Sequence, residues 1–300
     1  MAIRDIWKVK VGSYIFEAFD IKRPHVIADT IERAGNPAGL DKSVGLVVGK
    51  KHVEFGFSTY LKHLGTEGSV PTITDLLKAA GFKLTEQDTD NDSINDTFVY
   101  APVALSDAQV DVDVEMQADT GYHIAINDAV VKALKITAKI GEPITVEIDF
   151  QGVLLSEDTT TQITGNYDTK DPFVAKNLVL GSEVPTSFEN FSLEISNDIA
   201  ERIDPTSDNG ITGFIITGQE ITGSIDPEAL IKSAGDQLSN FTIQAGSSTD
   251  MFKIEGVNVV IKDREFAERN GLLIVNLPLA FYPSAAGQND ALTITFKKVS

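Results

Sequence analysis

The heptapeptide Val110–Met116, VDVDVEM, alternates apolar and acidic residues without a break. Val110, Val112, Val114 and Met116 share one face of an extended chain, and Asp111, Asp113 and Glu115 share the other. That period of two marks a half-buried β-strand. Ile144–Phe150, ITVEIDF, repeats the pattern: Ile144, Val146, Ile148 and Phe150 oppose Thr145, Glu147 and Asp149. Leu292–Phe296, LTITF, repeats it near the end. Turn-forming clusters punctuate these runs, among them NPAG from Asn36, TDNDS from Thr89, DPTSDNG from Asp204 and SAAGQND from Ser284. The fold class is mainly β.

Two short helices interrupt the strands. Pro71–Gly81, PTITDLLKAAG, opens on Pro71 and Thr72, carries Asp75 in its first turn and closes on Gly81. Leu76, Leu77 and Ala80 form its apolar stripe. Asp226–Asp236, DPEALIKSAGD, has Asp226 as N-cap, Pro227 at the first helical position and Gly235 at the end. Its stripe is Leu230, Ile231 and Ala234. Leu76 and Leu77, and Leu230 and Ile231, are expected to pack each helix onto a sheet.

The two helical segments align, LLKAAG on LIKSAG, and so do their surroundings. GLVVGKKHVEFGF from Gly45 matches GFIITGQEITGSI from Gly213. MQADTGYHIAI from Met116 matches IQAGSSTDMFKI from Ile243, and GEPITVEIDF from Gly141 matches GLLIVNLPLAFY from Gly271. The order of these segments points to an internal duplication, against two unrelated β-rich halves. The expected division is residues 1–158 and 159–300, joined through the polar stretch Ser156–Pro172. Residues 84–109 have no counterpart in the second half. They form an insert holding EQDTDNDSINDTF, with five acidic residues and no basic one.

Composition narrows function. The 300 residues carry a net charge of −19, which disfavours binding a phosphate backbone or an anionic membrane. There is no cysteine, so disulfides and thiolate metal sites are excluded. Residues 1–20 lack the apolar core of a signal peptide, and Gly271–Ala286 is broken by Asn276, Pro278 and Pro283. Folding in a cytoplasm is expected. No GxSxG, phosphate loop or G-x-G-x-x-G occurs, and His25, His52, His63 and His123 have no second histidine at ligand spacing. No cofactor and no catalytic residue is assigned. Asp88, Asp90, Asp92 and Asp96 follow a calcium-loop spacing, but Ser93 stands where such loops use glycine and Val99 where they use glutamate. A solvated acidic loop is the competing reading, and no metal is assigned.

Nearly the whole chain resembles the tail tube proteins of long-tailed, siphophage-like bacteriophages. The resemblance runs through GSVPTITDLLKAAGF (from Gly68) and the strand-rich segment Val99–Gly152. It continues through SLEISNDIAERIDP (from Ser192), TGSIDPEALIKSAGD (from Thr222) and AAGQNDALTITF (from Ala285). The acidic insert departs from that pattern, as does the absence of aromatic residues after the second helix.

The resemblance implies tandem tail-tube-type β-sandwich or barrel domains, each with one short helix. It implies a structural virion protein, assembled in the host bacterial cytoplasm, whose stacked rings form a hollow tube conducting DNA from capsid to host. Tape measure, tail terminator and distal tail proteins would be its partners, and DNA would pass without specific binding. Two copies per chain favour a ring of three chains with pseudo-six-fold symmetry over a hexamer. Asp111, Asp113, Glu115, Glu147 and Asp149 are the acidic candidates for the channel wall. The alternatives are a tail terminator or distal tail ring, or a carbohydrate- or ligand-binding β-sandwich module outside viruses. An enzyme is a third class, for which no motif speaks.

Overall fold

A computed structural model describes residues 7–34, 43–104, 107–176, 179–180, 188–228 and 233–299. Among them the order is β1 (Trp7–Val11), β2 (Tyr14–Phe16), β3 (Phe19–Ala34), β4 (Ser43–Tyr60), α1 (Thr74–Ala79), β5 (Phe82–Gln87), β6 (Thr97–Pro102), β7 (Val112–Ala118), β8 (His123–Lys139), β9 (Thr145–Asp158) and β10 (Asn166–Tyr167). It continues with β11 (Val179–Leu180), β12 (Asn190–Ile203), β13 (Ile211–Ile225), β14 (Gln237–Gly246), β15 (Asp250–Ile261), β16 (Glu265–Arg269), β17 (Leu272–Tyr282) and β18 (Leu292–Lys298).

The alternating stretches fold as strands because each has one apolar face to bury. On β7, Val112, Val114 and Met116 are buried; on β9, so are Val146, Ile148 and Phe150. The expected face is one residue too long at its start. Val110 precedes β7 and stays 49% exposed, since no strand pairs there to hold it inward.

An antiparallel run of eight strands crosses the molecule in the order β3–β4–β9–β8–β12–β13–β17–β16. One long strand, β8, serves two partners along the same edge. Its first part pairs with β7, and Ala133–Lys139 pairs with β12. Register shifts between Asn127 and Val130 and between Val131 and Ala133 bend it between the two. A second group joins β2, β1 and β7 to the start of β8, and a third joins β14, β15, β18, β6 and β5.

Both flanks of the acidic loop in the insert are strand: Leu84–Gln87 lie on β5, and β6 pairs with β18, Phe98 opposite Phe296. Aromatic residues from both halves meet in one continuous core, with Phe55 stacked on Phe150 at 4.9 Å and Phe173, Phe252 and Phe296 clustered. The polar stretch Ser156–Pro172 is strapped down rather than free. Gln117 donates to the Thr161 carbonyl, Ile163 is buried, and Asn166–Tyr167 pairs with β2.

The helix α1 starts at Thr74, later than Pro71, because Pro71 to Ile73 form a preceding turn whose carbonyl at Pro71 accepts Thr74 N–H and Oγ1. Leu76, Leu77 and Ala80 are fully buried, and α1 lies against β5, β7 and β8. Gly81 ends it at φ +85°, where an added Cβ would lie 3.3 Å from Ile216. The Ala80 carbonyl accepts Nδ2 of Asn197 and Nε2 of Gln219, so the second half caps the helix of the first.

In the second half, Leu230 and Ile231 lie outside the described residues. Asp226 precedes a bridge from Glu228 to Ile274, and its carboxylate accepts from Glu189, Asn190 and Arg269, while residues 229–232 of the expected helix lie outside the described residues.

Candidate assembly face and its charged groups

The eight-strand run has a core face and an open face, and the open face is charged. Lys22 on β3 reaches Asp149 at 2.6 Å and Glu147 at 3.1 Å. The hydrogen bond to Asp149 is the main reason its pKa rises above the ordinary lysine value, against a smaller opposing effect of burial. Lys135 stands opposite Glu147 on one side and Glu194 on the other, and Lys132 meets Glu54 at 3.0 Å. Carboxylates and amines thus alternate across the strands, the cross-strand arrangement that stabilises a sheet.

The five acidic candidates do not share one surface. Glu147 and Asp149 belong to this open face. Glu115 lies on β7, which is not part of the run. It meets Lys10 at 2.6 Å and Nε2 of His123 at 3.3 Å, while Nδ1 of His123 lies 3.3 Å from Asp158. Burial opposes ionising Glu115, but Lys10 and His123 outweigh it and its pKa falls. Asp158 is held well below the usual carboxylate range, chiefly by Thr161 N–H and Oγ1, then by Thr160. Asp111 and Asp113 lie near Asp128. Burial first, and those two charges second, push the Asp128 carboxyl upward.

A cluster that sequence reasoning missed sits at the end of β16. Arg269 reaches Asp226 at 2.6 Å, Glu189 at 3.1 Å and Glu228 at 3.3 Å. Asp226 also accepts the backbone N–H groups of Glu189 and Asn190, and Nδ2 of Asn190. It ties β16 to the entry of β12. No spacing in the sequence announces this, because the partners are far apart along the chain.

The acidic loop brings carboxylate oxygens of Asp88, Asp90 and Asp92 within 4.8 Å of one another, and likewise Glu67, Asp90 and Asp96. Much of that oxygen is committed: Asp88 accepts the N–H groups of Asn91 and Ser93, and Asp92 accepts that of Ile94. Asp96 is buried and accepts N–H and Oγ1 of Thr89. Ser93 adopts φ +76°, the backbone conformation that glycine supplies in a calcium loop.

The strands at the two ends of the run, β3 and β16, have a ladder partner on one edge only among the described residues. A run of strands open at both ends and charged on one face suits assembly edge to edge. A family model described as phage tail tube protein matches residues 28–296.

The chain belongs to the phage tail tube protein family.

No curated protein matches it. As a tail tube protein it is a structural component of the virion tail, and membership implies self-assembly into a tube. No helix among its described residues is long and apolar enough to cross a membrane. The mainly β fold of this tail tube protein agrees with the alternating sequence pattern.

Proposed function

We propose that the chain forms closed rings, three chains to a ring, that stack into the hollow tail tube through which DNA passes from capsid to host. The observation that carries this reading is a repeat in strand pairing. The order β3–β4–β9–β8 recurs as β12–β13–β17–β16, and β7–β8 recurs as β14–β15. The segments that align in sequence fall on corresponding strands: Gly45 on β4 and Gly213 on β13, Met116 on β7 and Ile243 on β14. Residues 1–158 and 159–300 are then two copies of one unit, and three chains supply six.

Three runs of eight strands would close a barrel of about 24 strands, beyond the 16–18 that already leave an aqueous channel. At about 4.8 Å between strands its backbone diameter is about 37 Å before tilt widens it. The open face of the run, with Glu147 and Asp149, lines that channel. Its lysines lie among carboxylates, so they offer phosphates little counterion release. Tape measure, terminator and distal tail proteins contact the tube at its lumen and ends, and assembly takes place in the bacterial cytoplasm.

Electron microscopy of concentrated pure protein tests this: side views of stacked rings with a stain-filled channel are expected. A single unstacked ring under all conditions would instead support the terminator or distal-ring reading.

A further inference from the structure

The repeat leaves one seam unmade within the chain. On β4, Glu54 lies between His25 of β3 and Gln151 of β9. On β13, Thr222 lies between Glu194 of β12 and Ala280 of β17. His25 and Glu194 are therefore corresponding positions. On β9, Glu147 pairs with Lys135 of β8; on β17, Asn276 pairs with Glu265 of β16. Gln151 and Glu147 are separated along β9 as Ala280 and Asn276 are along β17, so Lys135 and Glu265 also correspond. Inside the chain, Glu194 faces Lys135 across the β8–β12 seam. The positions that correspond to them, His25 and Glu265, lie on the two outer edges of the run.

We propose that β3 of one chain pairs antiparallel with β16 of a second copy, with His25 opposite Glu265 and Val26 opposite Arg264, in the register of the internal seam. The proposal rests on the ring reading above. Three further observations favour this occupant.

Charge is complementary with its sense reversed. In the internal seam β8 brings Lys135 and Lys139 and β12 brings Glu194; at the ends β3 brings Lys22, Arg23 and His25, and β16 with its approach brings Asp263, Glu265 and Glu268 beside Arg264, which lies over the Phe266 ring, and Arg269, which is engaged by Asp226, Glu189 and Glu228. Apolar burial is incomplete at the ends. Ile136 in the internal seam is 1% exposed, whereas its counterpart Phe266 is 57% exposed. Finally, β16 is held in place by the Arg269 cluster rather than left to fray. Pro24 falls within the register shift between Lys22 and His25, where a proline is tolerated in a strand.

The cysteine-free chain allows a direct test. Tubes of a His25→Cys/Glu265→Cys variant are oxidised and run on a denaturing gel without reductant. A ladder ending at a covalent trimer is expected, collapsing to monomer on reduction. An Asp29→Cys/Glu265→Cys control, one register step of four residues away, is expected to stay monomeric. Tubes that form but give no ladder, or a ladder from the control instead, overturn the seam and leave the tube reading standing. Failure of the unmodified chain to form rings overturns both.

Should the cysteine pair prevent assembly, charge reversal decides. Glu265→Lys is expected to cut tube yield at least tenfold, and His25→Glu/Glu265→Lys to restore it. Unchanged yield in Glu265→Lys contradicts the proposal.

Discussion

At the scale of single residues, carboxylates do most of the positioning. Asp226 accepts bonds from two backbone amides, Asn190 and Arg269 while almost fully buried. Asp226→Ala would leave Arg269 without its shortest partner and two amides unpaired, at a cost of about 2–4 kcal/mol in urea unfolding.

Acid sensitivity follows from a group of such residues. Burial opposes ionising Asp96 and Asp250, but Thr89 outweighs it at the first and Lys298 with His63 at the second, so both pKa values fall, as do those of Glu115 and Asp158. A carboxyl with a lower pKa folded than unfolded contributes stability above its unfolded pKa of about 4, and loses it as pH falls through the folded value. The melting temperature should be flat near neutrality and drop below about pH 4. Asp96→Asn should cost about 1–2 kcal/mol at pH 7 and little at pH 2. A loss of equal size at both pH values would count against the charge.

On the open face, Glu147→Gln/Asp149→Asn removes both carboxylates that hold Lys22. The variant should acquire salt-sensitive DNA retention that the unmodified protein lacks, measured by filter binding at low and moderate salt. The carboxylates of the acidic loop are largely spent on the loop's own N–H groups, so a chelator is expected to leave the melting temperature unchanged. A rise on adding calcium would reopen that site.

At the scale of elements, much was legible in the sequence. The alternation in Val112–Met116 and Val146–Phe150 fixes which side chains enter the core, since a half-buried strand has a period of two. Leu76 and Leu77 were legible for the same reason: apolar neighbours on a short capped helix have only the sheet to bury against. Leu77→Ala should cost about 2–5 kcal/mol. Gly81→Ala, forcing a side chain into φ +85° beside Ile216, should cost about 1–2 kcal/mol.

Register and partner choice were not legible. Nothing in the sequence of β8 says that its two ends take different partners, because bulges are set by tertiary packing. The acidic composition of the insert does not announce that Phe98 and Tyr100, just past the Asp88–Asp96 loop, enter the core and pair with β18 of the second half. The local context of Asp226, Asp-Pro, fits a helix cap and says nothing of the distant Arg269 and the amides that open β12, whose bonds its carboxylate accepts.

At the scale of the whole molecule, the chain is woven rather than beaded. The β8–β12 and β6–β18 pairings bind residues from before and after 158 into one hydrogen-bonded network. If the chain holds two copies of one unit, as proposed above, the β8–β12 seam makes it the equivalent of a dimer of single-copy chains, with the relative placement of the copies already set. Such a chain has fewer separate bodies to order when a ring closes, and each body lost from that count spares association entropy. At the ends of the eight-strand run, β3 and β16 each keep one unmet ladder edge among the described residues, and on the proposed reading stacking would add the second dimension of the tube.

Cryo-electron microscopy of the intact virion tail tests the central claim most directly. The account predicts that this chain builds the repeating wall of the tube, three chains to each ring around an open channel. Six chains to a ring, or a chain confined to a single ring at one end of the tail, would contradict it.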